Sequence, residues 1–397
     1  LLVAGSLAGC VVYDPARVQR ADSGADGGVM LAHPPPRPSG MDTSMPGEVA
    51  FGLRDVVLNQ TAEQARMLGY DLDDYDTTDT NLLSECTPGM GGRVPADGPG
   101  GIDNVFGASL YPLVNAAVPG LEDRARAAQM AGNGLPVLRV RGWNGTPNDP
   151  VIDVTISAAV FSAGTGGSMA PAVVIHSPTD YTLMDGSPVP GPRWDGNDWT
   201  WLRTDSFLGG DLEQPLIRDQ QAYVADGVFV ANLPERVDIV FPTDTVGVLV
   251  RLTGAVATGT LSADGTRLEN VIVAGRWSTT DLLSTAENIG LCMGTGQYNI
   301  LQSQLVRYAD VRSRMPAPGD PVLGCDALSI GVGFTGFRMR VAGVTDGLPI
   351  LDLCTMDGGL PDAGTDAAMT PSDAGTDAGH DAAMSMDAGV DANVDGG

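Results

Sequence analysis

The sequence predicts a mainly β protein: an antiparallel β-sandwich or jelly-roll-like domain with helical insertions, set between disordered flanks. Three observations lead there. From Leu135 onward the apolar period changes from 3.6 to 2, the pattern of half-buried antiparallel strands. Short strand candidates then recur with Gly, Asp and Pro turn signals between them. The two ends of the chain have no hydrophobic period, and polar segments of that kind cannot bury enough apolar surface to fold.

Taken in order, Val11 to Glu48 reads as a tether, with Ser23-Gly24-Ala25-Asp26-Gly27-Gly28 and Pro34-Pro35-Pro36. Phe51 to Leu58 is a strand or an extended lead-in. Thr61 and Gln64 have capping-box spacing for a short helix, with Gly69 suited to its C-terminal end. Asp103 is expected to cap a helix through Leu110 that Pro112 limits. Leu121 to Ala131 is the clearest helix. In Val151 to Phe161, Ile152, Val154, Ile156, Ala158 and Val160 share one face, while Asp153, Thr155 and Ser157 share the other. Further strands are expected at 137–141, 172–176, 199–207, 223–231, 237–241, 247–252, 255–261 and 268–277. Thr280 can cap a helix over 281–288. Ile300, Leu301, Leu305 and Tyr308 form the stripe of another. Leu328, Ile330, Val332 and Phe334 alternate, but after Gly336 the apolar residues are Phe337, Met339 and Val341, which predicts a bulge near Gly336. From Met356 the chain is Asp-Ala-Gly near-repeats, read as a disordered acidic tail.

Composition excludes several chemistries. All 22 basic residues are arginine. Without lysine there is no Walker-type phosphate loop, Schiff base or pyridoxal site, so neither nucleotide nor pyridoxal phosphate is expected. A net charge of -27 disfavours nucleic acid and anionic lipid surfaces as partners. Catalysis finds little support. The folded region holds one histidine, His176, and Gly166-Gly167-Ser168-Met169-Ala170 is a loose echo of a nucleophile elbow without its strand–turn–helix setting. Paired Asp acids of a polysaccharide hydrolase remain an alternative.

The N-terminal run Leu1 to Ala8 leads into Leu7-Ala8-Gly9-Cys10, which resembles a bacterial lipobox. The resemblance implies cleavage before Cys10, a diacylglyceryl group on its thiol, and a protein held in the cell envelope by lipid. Residues 1–9 are then a signal-peptide remnant. Val11 in place of Asp leans the resemblance toward the outer membrane, on its periplasmic or surface face. No later stretch has the roughly 18 apolar residues of a membrane span, so the lipid is the expected membrane contact. With Cys10 lipidated, Cys86, Cys292, Cys325 and Cys354 remain, an even set in an oxidising compartment. Two disulfides are expected, with Cys292–Cys325 and Cys86–Cys354 favoured among three connectivities. No C-x-x-C spacing or nearby histidine suggests zinc. The layout is that of one β-rich domain over 49–355, its lead-in (49–135) mixed helix and loop.

Two stretches are candidate sites. Asp71, Asp73, Asp74, Asp76 and Asp79 crowd nine positions, and Asp97, Asp103 and Asn104 follow. Calcium takes six to eight oxygens, which alternating loop carboxylates can supply. The start, Asp71-x-Asp73, resembles an EF-hand or thrombospondin-type calcium loop. The likeness ends at Tyr75 and Asp76, which stand where a ligand and a glycine belong. The ligand candidates are Asp71, Asp73, Asp76, Asp97, Asp103 and Asn104. The second stretch is Trp194-Asp195-Gly196-Asn197-Asp198-Trp199-Thr200-Trp201. Indole faces beside Asp and Asn are what a glycan site needs, and the alternative use of such indoles is core packing. Together these readings describe a non-catalytic envelope module, binding or structural, stabilised by calcium, with a glycan or protein partner.

Overall fold

The computed structural model describes residues 32–41, 44–58, 60–89, 93–117, 119–132, 134–162, 173–177, 180–183, 191–242, 247–316, 321–345 and 353–354. The lipobox-like stretch ending at Cys10, the stretch Gly166–Ala170 and the residues from Met356 onward lie outside them.

The chain is mainly β. Among the described residues, twelve strands run β1 (Glu48–Val57), β2 (Leu135–Arg141), β3 (Asp149–Ser162), β4 (Val173–Ser177), β5 (Asp180–Leu183), β6 (Trp199–Arg203), β7 (Ile217–Ala225), β8 (Val228–Asn232), β9 (Arg236–Pro242), β10 (Gly247–Leu261), β11 (Arg267–Ser278) and β12 (Ala327–Thr345). The helices are α1 (Ala62–Ala65), α2 (Tyr111–Ala117), α3 (Leu121–Met130), α4 (Thr279–Asn288) and α5 (Gly296–Tyr308). Antiparallel pairing runs β1-β2-β3-β7-β8-β10-β11-β12 and returns to β1. The architecture is therefore an eight-stranded barrel, not the expected sandwich or jelly roll. Closure rests on two pairings far apart in sequence, Ala50↔Met339 between β1 and β12 and Ile156↔Ile217 between β3 and β7. A closed sheet has no exposed edges to protect. β6 is antiparallel to the end of β3 and parallel to the end of β12, so the pairings also close a smaller circuit through β1, β2, β3, β6 and β12. β9 pairs with the first half of β10.

The alternation seen in the sequence becomes inside and outside. Phe51, Leu138, Ile152, Val154, Val224, Phe229, Ala257, Val273, Val332 and Phe334 come from all eight barrel strands and fall in one buried cluster, the barrel interior. On the outer wall, Tyr223, Val230, Val256, Ile272 and Ala274 are covered by Leu68, Tyr70 and Leu72 of the lead-in.

Turn chemistry explains the hairpins. β7 and β8 join through Asp226 (φ 51°) and Gly227 (φ 85°), two left-handed residues as a type I′ turn requires. β10 is one strand where two were expected. Gly254 (φ 53°) marks the break and coincides with a register shift between Thr253 and Val256. The bulge expected at Gly336 falls instead on its two neighbours. β1 carries an extra residue between Arg54 and Val57, and β11 between Leu268 and Val271. Asp55 (φ 58°) and Asn270 (φ 50°) absorb them. Gly336 stays in register because a Cβ there would lie 2.7 Å from that of Leu268.

Helix ends follow local rules with two corrections. The Thr61–Gln64 capping box forms reciprocally, at 2.9 and 3.2 Å. Ser278, not Thr280, caps α4 by accepting from the Asp281 N–H at 3.0 Å. Pro112 does not end its helix. A π-helical turn over Phe106–Leu110 precedes α2, and in that wider turn the proline's missing N–H leaves no gap in a regular ladder. Asp103 is not the cap there. Asn104 Oδ1 accepts from the Gly107 N–H at 3.1 Å.

Two disulfides form, but as Cys86–Cys325 and Cys292–Cys354, so the favoured pairing was wrong. The reason is strand-like contact. Thr87 bridges Gly324, Thr87 N–H donates to Leu323 O at 2.8 Å, and Cys325 N–H donates to Thr87 O at 2.9 Å. That ladder sets Cys86 beside Cys325. Folded contacts also begin before Val49: Tyr223 OH donates to Pro35 O at 2.6 Å, and the Arg37 guanidinium lies 4.7 Å over the Tyr223 ring. Among the described residues no helix is long and apolar enough to cross a membrane.

Candidate metal centre

The lead-in between α1 and α2 folds over the outer wall of the barrel because its apolar residues have a surface to cover and Gly331 lets it approach. A Cβ on Gly331 would stand 2.1 Å from Leu68 O. Asn104 ties the approach down. Its Nδ2 donates to Gln60 Oε1 and Leu68 O, both at 2.8 Å, and its Oδ1 accepts from the Gly331 N–H at 3.0 Å. Asn104 is therefore a structural amide, spent on backbone groups and on the Gln60 side chain.

Beyond Leu68 the strand-like contact of Tyr70 with Asp103 brings the two acidic segments together. One ligand atom from each of Asp71, Asp73 and Asp103 falls within 4.8 Å of the others. Oxygens bound to one calcium at about 2.3–2.6 Å can be no further apart than about 5 Å, so the spacing fits. Asp71 Oδ1 accepts from the N–H groups of Asp73 (3.2 Å) and Asp74 (2.8 Å), an Asx-type turn that orders the loop. Asp71 Oδ2 is buried and has no hydrogen-bond partner. His33 Nε2 lies 4.0 Å from it and 3.5 Å from Asp74 Oδ1. Asp103 Oδ2 accepts from the Leu72 N–H at 2.7 Å, and Asp97 Oδ2 from the Thr77 N–H at 2.6 Å. Gly101 (φ 77°) makes room for the loop: a Cβ there would be 2.6 Å from Tyr75 O and 3.1 Å from Asp71 Oδ2.

Burial is the main force on these acids, and mutual repulsion adds to it. Asp71, Asp73 and Asp97 are each pushed up to about 7, and Asp103 well above the ordinary carboxylate range. Asp310, buried beside β12, is also raised to about 7, although Ser329 gives it both an N–H (2.9 Å) and an O–H (2.5 Å). Its field reaches Asp97 and Asp103. Sequence reasoning missed Asp310 because it follows α5, more than 200 positions from the acidic loop. It also missed the cation that anchors the loop. Arg276 of β11 makes a two-point ion pair with Glu85 (2.5 and 3.1 Å), donates to Arg312 O at 2.8 Å, and donates to Leu72 O. Asp76 does not join the three-carboxylate group. It acts on Asp71 only through its charge.

The tryptophan stretch behaves differently. Trp199 and Trp201 share a face of β6, as expected of alternate strand positions. Trp194 turns away at φ 59°, edge-on to Phe337 with centroids 5.6 Å apart and the Arg54 guanidinium 4.8 Å over its ring. Asp198 is buried and accepts from the N–H groups of Arg193 and Trp194 (3.0 and 2.6 Å). Asp195, Asn197 and Trp199 do meet, with Arg338 and Arg340, around a cleft of about 560 Å³. Arg340 donates to Asn197 Oδ1 at 2.8 Å and sits 5.7 Å from the Trp199 ring centre. The three indoles thus form no continuous platform.

No known protein family, curated protein or solved structure matches this chain. Chemistry has to be read from the site. Three carboxylates that each offer one oxygen within 4.8 Å of the others can hold a hard cation.

Proposed function

We propose that the chain is a non-catalytic, lipid-anchored module of the bacterial cell envelope whose lead-in is locked onto the barrel by a calcium ion held by Asp71, Asp73 and Asp103. The observation that carries the calcium reading is the buried, unpartnered Oδ2 of Asp71 beside two further carboxylates. Burying an acceptor without a donor costs free energy, and a hard divalent cation offsets that cost while cancelling the repulsion. Asp97 neighbours Asp103 closely enough to hydrogen-bond it and would orient it as a second layer. Water completes the coordination. The envelope reading is supported by the lipobox at Cys10 and by two disulfides, which suit an oxidising compartment.

The test is thermal melting of the disulfide-intact protein with calcium, with magnesium and with chelator. Calcium at one hundred times its dissociation constant should add about 2.7 kcal/mol. Asp71→Asn should abolish the increment. A melting temperature indifferent to calcium and chelator would overturn the reading. Palmitate labelling in a bacterial host, lost in Cys10→Ser, tests the anchor.

A second reading, glycan binding, is favoured by the cleft of Asp195, Asn197, Trp199 and Arg340. Titration with envelope polysaccharides against Trp199→Ala decides it.

A further inference from the structure

Past the barrel core, β12 carries two exposed cations. Arg338 and Arg340 hold alternate positions and continue the inward-facing series Leu328, Ile330, Val332 and Phe334. Phe51, opposite Arg338 on β1, is still buried in the core, whereas both arginines are exposed. They line the cleft of about 560 Å³ to which Glu48, Asp195, Asn197 and Trp199 also contribute.

The bonds already made in the cleft define what is left for a ligand. Arg340 is held in place. Its guanidinium donates to Asn197 Oδ1 at 2.8 Å and lies 5.7 Å from the Trp199 ring centre, and its backbone N–H donates to Asp198 O at 2.8 Å. Asp195 Oδ1 accepts from the Asn197 N–H at 2.9 Å, which leaves Oδ2. Glu48 is taken by Arg141 at 2.5 Å, with Arg139 at 3.6 Å. Arg338 is different. Its backbone N–H donates to Thr266 O at 3.0 Å, but its guanidinium has no acceptor among the described residues. In a chain of 49 acidic and 22 basic residues, an arginine left without a carboxylate beside a second arginine runs against the composition. The groups that remain are two guanidinium forks, the Asn197 amide N–H and one carboxylate oxygen. Arginine forks match the geometry of a carboxylate, and the lone acceptor suits a hydroxyl. The net charge of -27 does not forbid an anion here, because exposed charges more than about 8 Å apart are largely screened at physiological salt.

We infer that this cleft binds an acidic glycan through a uronic acid residue, its carboxylate on Arg338 and Arg340 and its hydroxyls on Asp195 and Asn197, beside the half-buried Trp199. The inference rests on the glycan reading of the cleft and names the class of sugar. Arg340 is oriented in advance by Asn197 and Trp199, and Arg338 supplies the preference for the acid.

The experiment is calorimetric titration of the whole protein with trigalacturonate, with its methyl ester, and with tricarballylate, which has three carboxylates and no sugar. Trigalacturonate should bind about tenfold more tightly than the ester, the worth of one charge-assisted hydrogen bond, and about tenfold or more above tricarballylate. Arg338→Gln, at an exposed position whose side chain holds nothing else, should erase the preference for the acid and leave ester binding unchanged. A preference that survives Arg338→Gln would overturn the inference. So would acid and ester binding alike, and loss of both in Trp199→Ala would then leave the glycan reading standing. Tricarballylate binding as tightly as trigalacturonate, or no heat with either sugar at millimolar concentration, would overturn both.

Discussion

Arg276 is the point at which the fold should be most fragile. Its side chain is 1% exposed and that of its partner Glu85 is 4% exposed. From the outer face of β11 the guanidinium holds Glu85 at two points, and the carbonyls of Leu72 and Arg312 as well. Glu85 in turn accepts from the Arg312 N–H at 2.5 Å. One cation thus fastens the acidic lead-in and the segment after α5 to the barrel. Arg276→Met removes the charge and leaves Glu85 buried close to Asp73, whose own ionisation it already opposes. Breaking a buried pair from one side costs about 3–5 kcal/mol, because the remaining charge is uncompensated. Arg276→Met and Glu85→Gln should each lose stability on that scale. The double variant should lose less than the sum, since it leaves no lone charge. Denaturant unfolding of the three variants at neutral pH, disulfides intact, measures this. Hydrogen exchange should show the Leu72 and Arg312 amides opening first. A loss below about 1 kcal/mol in Arg276→Met would refute the reasoning, since it would mean that the pair contributes no more than a surface one.

Two further predictions concern the acidic loop. In calcium-free buffer Asp71, Asp73, Asp97 and Asp310 keep protons up to about pH 7 in the folded state, whereas unfolded carboxyls lose them near 4. The folded state therefore binds more protons across that window. Stability should be greatest below pH 4 as far as these groups are concerned, fall as pH rises to about 7, and level off above. Each retained proton contributes a slope of about 1.4 kcal/mol per pH unit, and a calcium-free stability that rises from pH 4 to 7 would contradict this. Gly101→Ala should cost about 2–3 kcal/mol, from the left-handed backbone and from a Cβ driven against Tyr75 O. Gly145→Ala, at φ 76° with open space around it, should cost only the backbone part. Equal losses in the two variants would show that the close approach at Gly101 carries no weight.

Much of the secondary structure was legible because its causes are local. The alternation Ile152, Val154, Ile156 gave both a strand and its inner face. The Thr61–Gln64 box formed, whereas the single strand expected over 223–231 divides at the left-handed Asp226-Gly227 pair into β7 and β8. The errors share one physical character. Ser278 and Thr280 offer the same hydroxyl, and only the backbone around α4 decides which one caps. Pro112 forbids a regular turn but not a π turn. Gly336 marks a crowded place in the sheet, while the extra residues that relieve it sit on the adjacent strands. The candidate site was half legible. A density of Asp within nine positions pointed to the loop, and the pairing of Tyr70 with Asp103 brought Asp71, Asp73 and Asp103 together. Asn104 looked like a ligand by composition, but the approach of Gly331 claimed its amide. Trp194, Trp199 and Trp201 looked like one aromatic patch by spacing, but the left-handed backbone at Trp194 divides them.

By itself the sequence determined the class of the fold, most strands, the helices that flank them, the presence of two disulfides and the place where acid concentrates. These follow from period, turn chemistry, parity of cysteine count and charge density, each readable within a few neighbouring residues. Only the tertiary structure decided that the sheet closes, that Cys86 meets Cys325, and that Asp310 and Arg276 join the acidic loop. Those outcomes depend on residues 60 to 290 positions apart. Alternating strands bury one face equally well in a sandwich or in a barrel, and what separates the two is which distant edges find each other. Here β1 found β12, and the position of every site followed from that closure.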